Sequence, residues 1–129
     1  MLAVMDINKQ IEYWKKGAES DVETAGILID KKKYLHGLFF CHLSIEKILK
    51  ANFVKQRKTI APKTHDLIYL AEQANLKLNE NDLYFLPILM KYQLEGRYPE
   101  YSPFIPSKEQ ANEYLNKTKD LLKWLTQKL

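Results

Sequence analysis

From Ile7 onward the apolar residues fall at Ile7, Ile11, Trp14, Ala18, Val22, Ala25 and Ile29, spacings of 4, 3, 4, 4, 3 and 4. A run of that length at helical period commits the start of the chain to one long helix with a single face to bury. Asp6 is the expected N-cap, and Lys31, Lys32 and Lys33 place cations where the helix dipole favours them, at the C-terminal end. A denser pattern begins near Tyr34. Its apolar residues, Leu35, Leu38, Phe39, Phe40, Leu43, Ile45, Ile48, Leu49, Phe53 and Val54, cover most of the circumference until the last turn. A helix like that belongs at the centre, packed on two or more sides. Lys55, Arg57 and Lys58 end it with positive charge.

The rest of the chain supplies shorter elements. Pro62, Lys63 and Thr64 form a loop, with Thr64 placed to cap a short third helix over His65 to Ala74. A fourth helical pattern runs from Asp82 to Leu94 after an Asn81 cap, and its interior Pro87 should kink it. The last helix opens on Ser107-Lys108-Glu109-Gln110, a capping box, and follows Ala111, Leu115, Thr118, Leu122, Leu125 and Leu129. No segment sustains two-residue alternation, so no strand is expected. The fold class is therefore all-α, an antiparallel helical bundle of about five helices: two long N-terminal ones, a short third, a Pro-kinked fourth and a C-terminal fifth. At 129 residues, without a repeat or dividing linker, the chain reads as a single domain, 1–129.

Charge and cysteine content narrow the function classes. Lys+Arg 20 against Asp+Glu 16 permits contact with a polyanion without demanding it. Cys41 is the only cysteine, which rules out an intrachain disulfide and suits a reducing compartment. Its expected role is a small buried apolar residue. The start, Met1-Leu2-Ala3-Val4-Met5-Asp6, has no basic lead and a short apolar run, so no secretory segment is expected. The longest mostly apolar stretch, Tyr34 to Ile45, is too short to span a bilayer, and the protein is expected in the cytoplasm with no membrane partner.

Three places could carry chemistry. Glu95-Gly96-Arg97-Tyr98-Pro99-Glu100-Tyr101-Ser102-Pro103 gathers one Gly and two Pro around Arg97, Tyr98 and Tyr101. Gly ends a helix and Pro99 keeps Tyr98 extended, so Arg97 and the two rings are expected to project from an irregular, rigid segment. On the second helix His42, Glu46 and Lys50 follow at i, i+4 and i+8 in an apolar setting. A carboxylate there needs a partner; Lys50 can serve, and so can Arg97, whose guanidinium can also present donors to a phosphate. The alternative is a solvated surface row. At the third place, the turn at His65-Asp66 either receives an anion on its backbone N–H groups or merely finishes a cap.

Other chemistries lack their residues. No Glu is followed three positions later by His, and His36, His42 and His65 provide no close pair, so no metal or other cofactor is expected. The four glycines are scattered, without a phosphate loop or a Gly-x-Ser-x-Gly elbow.

Phe39-Phe40-Cys41-His42-Leu43-Ser44-Ile45-Glu46-Lys47-Ile48-Leu49-Lys50-Ala51, then Pro62-Lys63-Thr64-His65-Asp66-Leu67, then Arg97-Tyr98-Pro99, in this order and spacing, resembles the HEPN domain family. The resemblance implies a bundle of about five helices, usually a homodimer, with Arg97 in a cleft near the dimer seam. Small members of this kind are often paired with a minimal nucleotidyltransferase, in toxin-antitoxin fashion. The family's active ribonucleases carry a His after the Arg with four to six residues between them. Counted from Arg97, those positions hold Ser102, Pro103 and Phe104, and none is His. The leading expectation is thus a noncatalytic, dimeric nucleotide- or substrate-binding module using Arg97, Tyr98, Tyr101, His42, Glu46, Lys50 and His65. One alternative is a metal-independent ribonuclease toxin in which Arg97 is catalytic and RNA the substrate, with His42 or His65 brought in by folding. The other is a helical protein-interaction domain in which Arg97 bridges helices or subunits. Unused apolar surface on the first two helices is the physical reason to expect a dimer.

Overall fold

The opening stripe forms α1 (Val4–Asp30) and the denser pattern α2 (Tyr34–Arg57); α3 (Leu67–Gln73), α4 (Glu80–Met90) and α5 (Lys108–Gln127) follow. The structure, a computed structural model, describes residues 3–94 and 104–129, and among these there is no strand. The segment carrying Arg97, Tyr98 and Tyr101 lies outside the described residues.

Several helix starts differ from expectation, each for a local reason. Ala3 is the N-cap of α1 without a side-chain bond, while Asp6 sits in the first turn, where its carboxylate meets the helix dipole. The cap of α3 is Asp66, accepting from the Tyr69 N–H at 3.0 Å, and Thr64 accepts from the Asp66 N–H one step upstream. Asn79 rather than Asn81 caps α4, accepting from the Asp82 N–H at 2.8 Å, which puts Glu80 and Asp82 in the acidic first turn. Pro87 lies inside α4 as read. Ser107 caps α5 through the Gln110 N–H, but the Gln110 side chain turns to Glu113, so only half of the capping box forms.

A three-residue turn reverses the chain between α1 and α2. Lys32 takes a left-handed conformation (φ 64°), and the N–H groups of Lys32 and Lys33 return to Ile29 and Leu28. The two helices then run antiparallel in close contact. A Cβ on Gly37 would stand 2.5 Å from Ile29 Cγ1, so glycine alone fits there. Further along, Ser44 Oγ donates to the Ala18 carbonyl at 2.8 Å and Lys47 Nζ meets Asp21 at 2.8 Å. On another side α5 runs in the same direction as α2, with Asn52 donating to the Leu125 carbonyl and Lys55 to the Leu129 carbonyl.

α2 touches all four other helices, as its all-round apolar pattern requires. Leu38, Ile45, Ile48 and Leu49 are fully buried, each contributing roughly 1.5–3 kcal/mol relative to exposure. Thus the apolar faces of α1 and α2 are largely covered within one chain, and among the described residues the most exposed large hydrophobic side chain is Phe104 at 86%. Cys41 is buried, and burial pushes its thiol up from 9.0 to about 11. A second, smaller cluster of Ile7, Phe53, Val54, Ala61 and Ala74 anchors the chain between α2 and α3. No described helix is long and apolar enough to cross a membrane.

Candidate functional site

The loop from Lys58 to Asp66 returns the chain alongside α2. It is pinned by buried Ala61 before His65 and by fully buried Leu67 after it. Arg57 ties the end of α2 to the end of α3 by donating to the Gln73 carbonyl at 2.8 Å and to its side-chain oxygen at 3.0 Å. His65 is therefore presented to α2 by a loop held at both ends.

Two successive turns of α2 meet it, and a third backs the second. The His42 Nε2–H donates to the His65 carbonyl at 3.2 Å, which holds the backbone of residue 65. One turn on, the Glu46 carboxylate accepts the His65 Nδ1–H on Oε1 at 2.8 Å. Its other oxygen takes Lys50 Nζ at 3.2 Å. Nδ1 of His42 stands 3.9 Å from Glu46 Oε1, a contact outside hydrogen-bond range. The Lys50 ammonium lies 5.1 Å from the centroid of the Trp14 ring, over its face, which links the row to α1. Next to Trp14, Tyr13 makes an edge-on ring contact at 5.0 Å and is itself exposed.

Burial decides what this row is. His42 is inaccessible, and Glu46 and Lys50 are 4% and 7% exposed. A solvated surface row is therefore excluded. A carboxylate so buried is stable only with both oxygens engaged, and here a cation takes one and an imidazole N–H the other. His65 is different, its side chain 46% exposed. Donating Nδ1–H inward fixes the ring's tautomer and leaves Nε2 as the nitrogen not committed to Glu46. Chemically the arrangement is an imidazole held rigidly by a buried carboxylate at the protein surface, with a buried ammonium behind it.

Folding thus brings together His42, Glu46, Lys50 and His65, four of the seven residues expected at a site. Arg97, Tyr98 and Tyr101 fall outside the described residues. One participant escaped the sequence reading: Trp14 looked like a stripe residue only. His65 was expected at the site, but its bond to Glu46 was not, because the short return loop brings it there and no local pattern encodes that. The Asp21–Lys47 pair was also missed, although Asp21 adjoins the stripe residue Val22. Among the described residues no group of three or more His, Cys, Asp or Glu could hold a metal ion.

A family model described as HEPN domain matches residues 11–129. No curated protein matches the chain. Among solved structures it is similar to TT1696 from Thermus thermophilus, at 20% identity and a TM-score of 0.78, over 93% of this chain and 98% of that one. That likeness concerns the fold.

Proposed function

This chain belongs to the HEPN domain family, and on that premise we propose that it is a noncatalytic nucleotide- or substrate-binding module, dimeric and cytoplasmic, that partners a minimal nucleotidyltransferase in a toxin-antitoxin-like pair. The observation that carries the reading is the buried Glu46 carboxylate shared between Lys50 and His65. It supports a preorganised wall in which His65 offers a fixed, half-exposed ring to a ligand, while His42, Glu46 and Lys50 hold that ring in place. Arg97, with Tyr98 and Tyr101 as stacking rings, supplies the charge for a phosphate in this reading. The sequence after Arg97 offers no His at the spacing of the family's ribonucleases, which favours binding over cleavage.

Isothermal titration with mononucleotides and short RNA tests the reading. Saturable binding that weakens in Arg97→Ala and His65→Ala is the expected outcome; empty profiles for the wild type would sink it. Sedimentation equilibrium is expected to give twice 15.2 kDa.

The His65–Glu46 bond favours a second reading, a metal-independent ribonuclease. An imidazole oriented by a carboxylate is suited to take or give a proton at an RNA 2′-hydroxyl, with Arg97 stabilising the negative charge that develops on the phosphorane oxygens. RNA degradation and slowed growth on induction, abolished by His65→Ala, would place this reading first.

A further inference from the structure

Three glycines lie within the two long helices, and packing explains only two of them. Gly37 admits Ile29, and a Cβ on Gly17 would stand 3.0 Å from the Lys47 side chain. At Gly26 the nearest atom to an added Cβ is Leu115 Cδ2 at 4.0 Å, ordinary contact, so alanine would fit and would strengthen the helix. Gly26 instead opens onto a groove of about 560 Å³ between α1 and α5. That is the size of a small-molecule site, about 300–1,000 Å³.

The charges around the groove are unspent. Lys32 from the α1–α2 turn, Lys108 at the first turn of α5 and Lys119 further along the same helix line it. None of the three joins an ion pair among the described residues, whereas Lys16 and Lys117 on these same helices pair with Glu12 and Glu113. The dipole of α5 adds positive potential at Lys108. Glu23 and Asp30 stand on the α1 wall, so a negative group is favoured on the side of α5 and the turn. Between the charges the floor is apolar, with Leu115 facing Gly26 and exposed Ile27 beside it.

We propose that the α1/α5 groove binds a small anionic ligand with an apolar body. Lys32, Lys108 and Lys119 hold its acid group, and the body lies over Gly26 against Leu115. The site shares no residue with the Glu46 cluster and does not rest on the function proposed above.

The test uses the fluorescent probe 8-anilinonaphthalene-1-sulfonate, displaced by decanoate, decyl phosphate, decanol or inorganic phosphate. The probe is expected to bind saturably at one site per chain. Decanoate and decyl phosphate are expected to displace it, their ratio reporting which acid group fits, while decanol and inorganic phosphate do so at least about tenfold less well. Gly26→Leu fills the groove and Lys108→Ala/Lys119→Ala removes two cations; each is expected to weaken probe binding about tenfold with an unchanged circular dichroism spectrum. Gly26→Ala, which the 4.0 Å clearance accommodates, gives a smaller loss in the same direction should the leucine disturb folding. His65→Ala is expected to leave probe binding intact, which separates this site from the nucleotide reading. Failure of the probe to saturate, competition by decanol equal to decanoate, or indifference to both the Gly26 and the double lysine variants would overturn the proposal.

Discussion

Neighbouring residues on α2 bury their charges in two different ways. On the side facing α1, Lys47 meets Asp21 at 2.8 Å, and the pair involves two helices that already pack tightly. On the other side Glu46 meets Lys50 at 3.2 Å and His65 at 2.8 Å, and one of those partners arrives on a loop and stays half open to solvent. The first arrangement is a latch: two groups, one bond, nothing left to offer. The second joins a buried charge pair to a ring that reaches the surface. By distance alone the two sites look alike. Accessibility separates them, because the Lys47 side chain is 29% exposed and can reach water, whereas Lys50 cannot.

The largest expected effect follows directly. Glu46→Ala strands the Lys50 ammonium in the interior and is expected to lower stability by about 3–5 kcal/mol. Asp21→Ala removes a contact as short as any Glu46 makes, yet should cost only about 1–2 kcal/mol, since Lys47 can swing outward. Urea denaturation of the two variants decides the matter; an Asp21 variant as unstable as the Glu46 variant would erase the distinction between latch and site. Next in size is the seam itself. Gly37→Ala forces a methyl against Ile29 and is expected to cost about 1–3 kcal/mol, while Gly17→Ala meets only the flexible Lys47 stem and gains about 1 kcal/mol of helix propensity, leaving it near neutral. Equal melting temperatures for the two would mean that the α1–α2 contact is looser at Gly37 than described. His65→Ala is expected at about 1 kcal/mol, the smallest loss within the Glu46 cluster, because Glu46 keeps Lys50 and the ring is half solvated. Should His65→Ala destabilise as much as Glu46→Ala, while nucleotide titrations stay empty, His65 is another latch and the protein-interaction alternative gains.

The helical architecture was legible because period 3.6 survives translation into any packed context. Ile7 to Ile29 gave α1, and the crowded pattern from Tyr34 to Val54 gave a helix that indeed touches every other one. Capping residues were legible in kind but not in position: Asn79 and Asn81 are equally able caps, and only the geometry of the α3–α4 connection selects the first. The candidate site was half legible. Burial of Glu46 and its pairing with Lys50 follow from one helix and its apolar surroundings. The His65 partnership is tertiary, created when Ala61 and Leu67 bury on either side of a polar residue, and the Asp21–Lys47 pair joins two helices whose mutual register no local pattern fixes. Neither can be counted off a helical wheel. The apolar faces of α1 and α2, the physical reason for expecting a dimer, are largely covered within the chain, and among the described residues Phe104 and Tyr84 are the most exposed large hydrophobic side chains.

The placement of Lys50 over the indole of Trp14 gives the molecule an optical handle. Trp14 Nε1 is buried with no hydrogen-bond partner among the described residues, and a point charge sits 5.1 Å from the ring centroid, so its emission is tuned by the field of the cluster. The other indole, Trp124, lies 4.7 Å from Lys128 at the far end of the last helix. With Trp124→Phe the chain keeps Trp14 as its one tryptophan, whose emission is expected to report, without any attached dye, on the Lys50 ammonium beside it.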